Sequence, residues 1–143
     1  MKKNYSELFE KMHIAGKLAA KTLDELTPFV KPGVTTNFLD KICYEYIKDH
    51  GGNSAPLYYR GFPKSCCTST NHTVCHGIPS EKILEDGDIM NVDVTAFIDE
   101  HHGDTGRMFC IGDVSVKSKN LISATYESMM KAISIIKPGI KLG

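Results

Sequence analysis

Apolar residues return every three or four positions near the start of the chain, at Leu8, Met12, Ala15, Ala19, Leu23 and Leu26. That spacing lays them along one side of an α-helix. Ser6 is a residue type that caps such a helix, and Pro28 and the Pro32-Gly33 pair break the chain beyond it. A second helix is predicted from Thr36, as its cap, through Lys48, with Phe38, Leu39, Ile42, Cys43, Tyr46 and Ile47 on its buried side and Gly51-Gly52 at its end. Between Ser54 and Ile111 the period changes, and Gly61, Pro63, Gly77, Pro79 and Gly87 punctuate strands and loops. A last helix is predicted from about Ser118 to Ile136, presenting Leu121, Ala124, Thr125, Ser128, Met129 and Ala132 as one stripe and stopping before Pro138. The methionines of these stripes, Met12 and Met129 with its neighbour Met130, are read as packing groups, and Lys117 and Lys119 as a solvated helix entry.

Within the middle segment, Ile89 to Ile98 is rich in Ile, Val, Thr and Phe and follows the turn pair Asp86-Gly87, as a strand does. Alternation puts Asn91, Asp93 and Thr95 on one face and Val92, Val94 and Ala96 on the other. If a tight turn centres on Asp99-Glu100, partners across the hairpin have residue numbers that sum to 199, so Thr95 faces Asp104 and Asp93 lies diagonal to it. The two carboxylates then converge. Diagonal neighbours are roughly 7–8 Å apart at the backbone, a gap that two side chains sharing an ion can close. The plainer alternative makes Asp93 a stray polar residue on a solvated strand and Asp104 a turn residue. Asp disfavours strands, however, and paired carboxylates need a cation, a shared proton or open water.

A six-residue pattern recurs. Phe29-Val30-Lys31-Pro32-Gly33-Val34 returns as Ile135-Ile136-Lys137-Pro138-Gly139-Ile140, an offset of 106 (138 − 32), and each copy follows a helical stretch. The chain thus reads as one complete copy of an internal repeat and the opening of a second.

Composition narrows the picture. With 41% hydrophobic and 24% charged residues the chain is no disordered segment. Its length suits one domain, 1–143, with no low-complexity linker. Seventeen basic and seventeen acidic residues cancel, which gives no overall field toward nucleic acid or an anionic membrane. The opening MKKNYSELFEKMHIAG has two lysines and no apolar run after them, so it reads as neither signal peptide nor anchor. Five cysteines, an odd number, fit reduced thiols in a cytoplasmic setting. Cys66, Cys67, His72, Cys75 and His76 cluster, but adjacent Cys66 and Cys67 point to opposite faces of a strand, unlike the ligands of a closed zinc site. Cys43 and Cys110 are read as small apolar core groups.

The run NHTVCHGIPSEKILEDGDIMNVDVTAFIDEHHGDTGRMF, Asn71 to Phe109, closely resembles the type I methionyl aminopeptidases, as do KMHIAGKLAA, VKPGVTT and GFPKSCCTST in the right order before it. The resemblance implies an α+β fold, the first half of a pita-bread fold, with a curved antiparallel sheet and helices packed on one face. It implies that Asp93 and Asp104 are the first two acidic ligands of a site for two divalent ions (Co, Mn, Fe or Zn), which clamp a water and polarise the scissile carbonyl. By the same resemblance His76 is the catalytic histidine that contacts substrate near the scissile bond. Tyr59, Phe62 and Cys67 line the pocket for the methionine side chain, with Phe62 where tyrosine is common and Pro56 where cysteine is common. Thr95 orients a metal-bound carboxylate, and Asn71 and Thr73 offer backbone oxygens to a monovalent cation.

Members of this family complete the site with a histidine and two glutamates from the second half of a longer chain, and those three ligands are not found here. None of His13, His50, His72, His101 or His102 lies in the later histidine motif. The expectation is therefore an amino-terminal half, with the second pseudo-repeat beginning near residue 137 and otherwise missing, at most weak metal binding, and impaired or no activity. Implied partners are nascent peptide N-termini, with them the ribosome, and a complementary second half or a second copy to cover exposed edges. Two other readings stand beside the aminopeptidase: a noncatalytic remnant that binds peptide N-termini or a partner protein, and a prolidase-like hydrolase, against which GFPKSCCTST and VCHGIP speak.

Overall fold

The computed structural model describes residues 5–141. Lys2 and Lys3, read above as part of a start without an anchor, and Gly143 lie outside the described residues. The elements in order are helix α1 (Tyr5–Leu26), helix α2 (Thr36–Asp49), strands β1 (Asn53–Ser54), β2 (Cys67–Thr70), β3 (Ile89–Ile98) and β4 (His101–Cys110), and helix α3 (Val116–Ser134).

The sheet is antiparallel throughout. β4 pairs with β3 along its whole length, with Ile98 opposite His101 and Thr95 opposite Asp104, the register expected from a turn centred on Asp99-Glu100. Both turn residues take positive φ, 49° and 64°, which matches the loop twist to that of the strands. With one edge of β3 filled, β1 and β2 share the other end to end, β1 at Ala96 and Phe97 and β2 from Met90 to Asp93.

One face of this sheet carries the core. Met90, Val92, Val94 and Ala96 meet Leu18, Ala19, Leu23 and Leu26 of α1, and Leu39, Cys43 and Ile47 of α2 join the same cluster. Gly103 lets α1 cross β4 closely, since a Cβ there would lie 2.1 Å from the backbone carbon of Ala15. Arg107 of β4, on the same face, reaches past the core to pair with Asp24 at 2.8 Å.

Several helix details differ from expectation. Tyr5 is already helical, so Ser6 sits inside the first turn and does not cap it. Met12 is 51% exposed and Leu8 only partly buried, because α1 overhangs the sheet until Ala15; Leu18 and Thr22 fill the core instead. Thr35, not Thr36, caps α2, its Oγ1 accepting the Phe38 N–H at 3.2 Å. Phe38 is exposed, and Cys110 lies at the surface and not in the core. Ser115 caps α3, which starts earlier than expected, at Val116, and ends at Ser134. None of its residues is buried: the stripe from Leu121 to Ala132 is present, its start at Leu121 and Thr125 bordering a hollow beside Met108 and its remainder exposed.

The recurring turn is structural as well as sequential. Gly33 and Gly139 have φ of 89° and 88°, the Val34 N–H donates to Lys31 O at 3.4 Å, and the Ile140 N–H donates to Lys137 O at 3.2 Å.

Candidate functional site

The face of the sheet opposite the core is open, and the strand alternation decides what stands on it. Cys67, Asp93 and Gly106 form one row across β2, β3 and β4, Thr95 and Asp104 the next, and Phe97 and His102 the one after. The segment after β1, held to the sheet by the Ala55 N–H on Thr95 O at 2.9 Å, rises along the β1 and β2 edge and brings up Pro56, Tyr59 and Phe62. Together they enclose a cavity of about 680 Å³.

Asp93 and Asp104 converge on its floor. Burial raises the Asp93 pKa, and the negative charge of Asp104 and a hydrogen bond between the two carboxyl groups raise it further, while His76 acts in the opposite sense. Two carboxylates so placed favour either a shared proton or a cation. Thr95 Oγ1 donates to Asp104 Oδ1 at 3.1 Å and so fixes the orientation of that carboxylate. The pair fits a hard divalent ion as two oxygen donors, with its remaining positions open; among the described residues no cluster of three or more ligating groups surrounds it.

His76 reaches the cavity by a strained route. Its φ is 53°, and the following Gly77 presses so closely on β2 that a Cβ would meet Thr68 O at 2.2 Å. The Thr68 N–H donates to Gly77 O at 2.8 Å and the Gly77 N–H to Ser69 Oγ at 3.1 Å, pinning the segment to the strand. Cys67 is nearly buried. Burial first, then the charges of Asp93, Cys75 and Asp104, push its thiol up to about 11, so it stays a neutral apolar wall. Cys66 turns the other way, into the core, where a hydrogen bond with Cys43 and burial push its thiol up. Asp40, reaching from α2, anchors the entry to β2 by accepting the Ser65 N–H at 2.7 Å and the Cys66 N–H at 3.1 Å.

Every expected pocket residue lines this cavity: Pro56, Tyr59, Phe62, Cys67, His76, Asp93, Thr95 and Asp104. Asn71 and Thr73 do not. They border a separate hollow of about 420 Å³ with Met108 and, from α3, Leu121. The Asn71 side chain is occupied there, donating to Asp88 Oδ1 at 2.7 Å and accepting the Ile89 N–H at 3.1 Å. The cavity also takes in Arg60, whose guanidinium lies 5.5 Å from the Tyr59 ring, Ile78, and His102, to which sequence reasoning assigned no role in a site. For His102 the signal was available, since it stands two residues before Asp104 and shares its face.

Two carboxylates thus converge from paired strands beside an apolar cavity on an open α+β sheet, an arrangement that fits a divalent ion. The chain belongs to metallopeptidase family M24, whose description matches residues 10–143. It is 57% identical over 135 residues to the methionine aminopeptidase of Rickettsia prowazekii, an alignment covering 94% of this chain and 52% of that one. It superposes on the crystal structure of methionine aminopeptidase from Rickettsia prowazekii with a TM-score of 0.95 and 56% identity, over 96% of this chain and 56% of that one. The Xaa-Pro dipeptidase from Bacillus anthracis gives a TM-score of 0.82 at 21% identity, covering 92% and 36%, a likeness of fold alone. The chain spans about half the length of the curated relatives it matches. The pita-bread α+β expectation therefore holds, and the prolidase-like reading is the less supported one. Family membership implies use of divalent metal. Among the described residues no helix is long and apolar enough to cross a membrane.

Proposed function

We propose that this site receives the amino-terminal methionine of peptide chains and contributes to its hydrolytic removal. The observation that carries this reading is the apolar wall standing directly beside the paired carboxylates in one cavity. Tyr59, Phe62, Pro56 and Cys67 take the unbranched thioether side chain by shape and dispersion. Asp93 and Asp104 hold divalent metal (Co, Mn, Fe or Zn), and Thr95 keeps the Asp104 carboxylate aimed. His76, beside Asp93, meets the peptide near the bond to be cut. When bound, the metal supplies Lewis-acid polarisation of a carbonyl and a more acidic water. Asn71 and Thr73 are assigned, by family resemblance, to a monovalent cation. The partners are nascent N-termini in the cytoplasm, met at the ribosome, and a polypeptide that covers the α3 stripe and brings the histidine and two glutamates of a complete site.

Two carboxylates are what these residues bring, so the 143-residue chain alone turns over slowly or not at all. The test is methionine release from a Met-Gly-type peptide with Mn or Co, by the chain alone and mixed with a polypeptide carrying those three ligands. Activity in the mixture, abolished by Asp104→Asn, is the expected result. Peptide binding without activity in either case would establish the noncatalytic reading instead. Full activity of the chain alone would contradict the account of the metal centre.

A further inference from the structure

His102 has no part in the reading above, yet it stands in the cavity with both carboxylates. It lies on β4 two residues before Asp104, on the same face and opposite Phe97. Its ring packs on the Phe97 ring with centroids 4.7 Å apart, and the residue is otherwise exposed. Nδ1 of His50 and of His101 lies against a backbone oxygen, Tyr46 O at 2.8 Å and Asp99 O at 2.6 Å. Neither ring nitrogen of His102 is engaged by a protein group among the described residues, so a donor and an acceptor are left for a ligand.

The layout of the floor says which part of a ligand they meet. The apolar wall rises from the β1 and β2 edge of β3, whereas His102 rises from β4, the strand that carries Asp104, one row from that carboxylate and opposite Phe97. One strand step of two residues is about 7 Å. An extended peptide covers a similar distance in two residues. A peptide whose first side chain fills the apolar wall, with its first carbonyl over the carboxylates, therefore carries the main chain of its second residue to His102.

We propose that His102 is a peptide-binding residue that hydrogen-bonds the main chain of the second residue and so favours a peptide over a single amino acid. The proposal rests on the cavity's being a site for an N-terminal methionine, and the experiment separates the two ideas. Methioninamide and the tripeptide Met-Ala-Ser are titrated into the 143-residue chain with Mg²⁺ present, and the amide shifts of Cys67, Thr95 and Asp104 are followed by NMR. The tripeptide is expected to bind about tenfold more tightly, the worth of one good hydrogen bond. In His102→Ala that advantage falls below about threefold, with the melting temperature unchanged because the residue is exposed. His102→Gln, which keeps a donor and an acceptor, restores part of it, and Tyr59→Ala weakens both ligands alike. A tripeptide advantage that survives in His102→Ala, or is absent from the wild type, overturns the role of His102 and leaves the methionine pocket standing. If neither ligand moves these amides, the role of His102 and the reading of the cavity fall together.

Discussion

Helices α1 and α3 carry the same pattern and meet opposite fates. The buried residues of α1 are Ala15, Leu18, Ala19, Thr22, Leu23 and Leu26. The positions 106 further on, an offset fixed by the two Pro-Gly turns (138 − 32), are Leu121, Ala124, Thr125, Ser128, Met129 and Ala132, none of them buried. Even a local detail repeats: Thr22 Oγ1 donates to Leu18 O at 2.9 Å, and Ser128 Oγ to Ala124 O at 2.7 Å. A stripe therefore says which side of a helix is made to dock, while burial depends on a surface to receive it. α1 has one, the sheet face with its opening at Gly103; α3 only borders a hollow beside Met108, and none of its residues is buried.

Filling that opening is the strongest way to break the contrast. Gly103→Val drives a side chain into the backbone of Ala15 and is expected to cost about 3 kcal/mol or more in a denaturant melt, levelling α1 with α3. Truncating one residue in each stripe is the next test. Leu23→Ala, at a site 1% exposed, is expected to cost about 3 kcal/mol, and Met129→Ala, at 48%, less than about 0.5 kcal/mol. Repeating the pair with a complementary polypeptide bound sharpens the comparison, because Met129→Ala then becomes costly if α3 docks as α1 does. Equal costs in the chain alone would show the comparison to be false.

The same difference between covered and open surface runs across the sheet and gives a smaller, chemical effect. With its thiol pushed up to about 11, Cys67 carries roughly one thiolate per thousand thiols at pH 8. It should alkylate far more slowly than exposed Cys75, a difference that narrows as pH rises toward 11. Asp93→Asn removes the largest charge acting on it after burial and should speed its alkylation, as read by mass mapping. Equal rates for the two thiols at pH 8 would contradict the environment assigned to Cys67.

Legibility in the sequence followed the range of the physics involved. The β3–β4 register and the meeting of Asp93 with Asp104 were legible because strand alternation and a two-residue turn fix them locally. The placing of Cys66 and Cys67 on opposite faces followed from the same alternation. Caps slipped by a residue or more because Thr35 and Thr36, and the serines near α3, are all capping types, and only the backbone chooses among them. The exposure of Met12, of Cys110 and of the α3 stripe was not legible, since it depends on where the sheet ends and what lies across from it. The roles of His76 and the pocket wall came from family resemblance and not from spacing, because loops bring those residues in from separate segments. His102 was within reach of the alternation argument and was passed over because no motif named it.

The central claim is that Asp93 and Asp104 form one cation site, and Mn²⁺ titration followed by electron paramagnetic resonance tests it most directly. The account predicts a single weak site in the 143-residue chain, weakened at least about tenfold by Asp93→Asn and likewise by Asp104→Asn, and less by Thr95→Ala, which loses only an orienting hydrogen bond. Titration curves that superpose for the wild type and Asp104→Asn would contradict it.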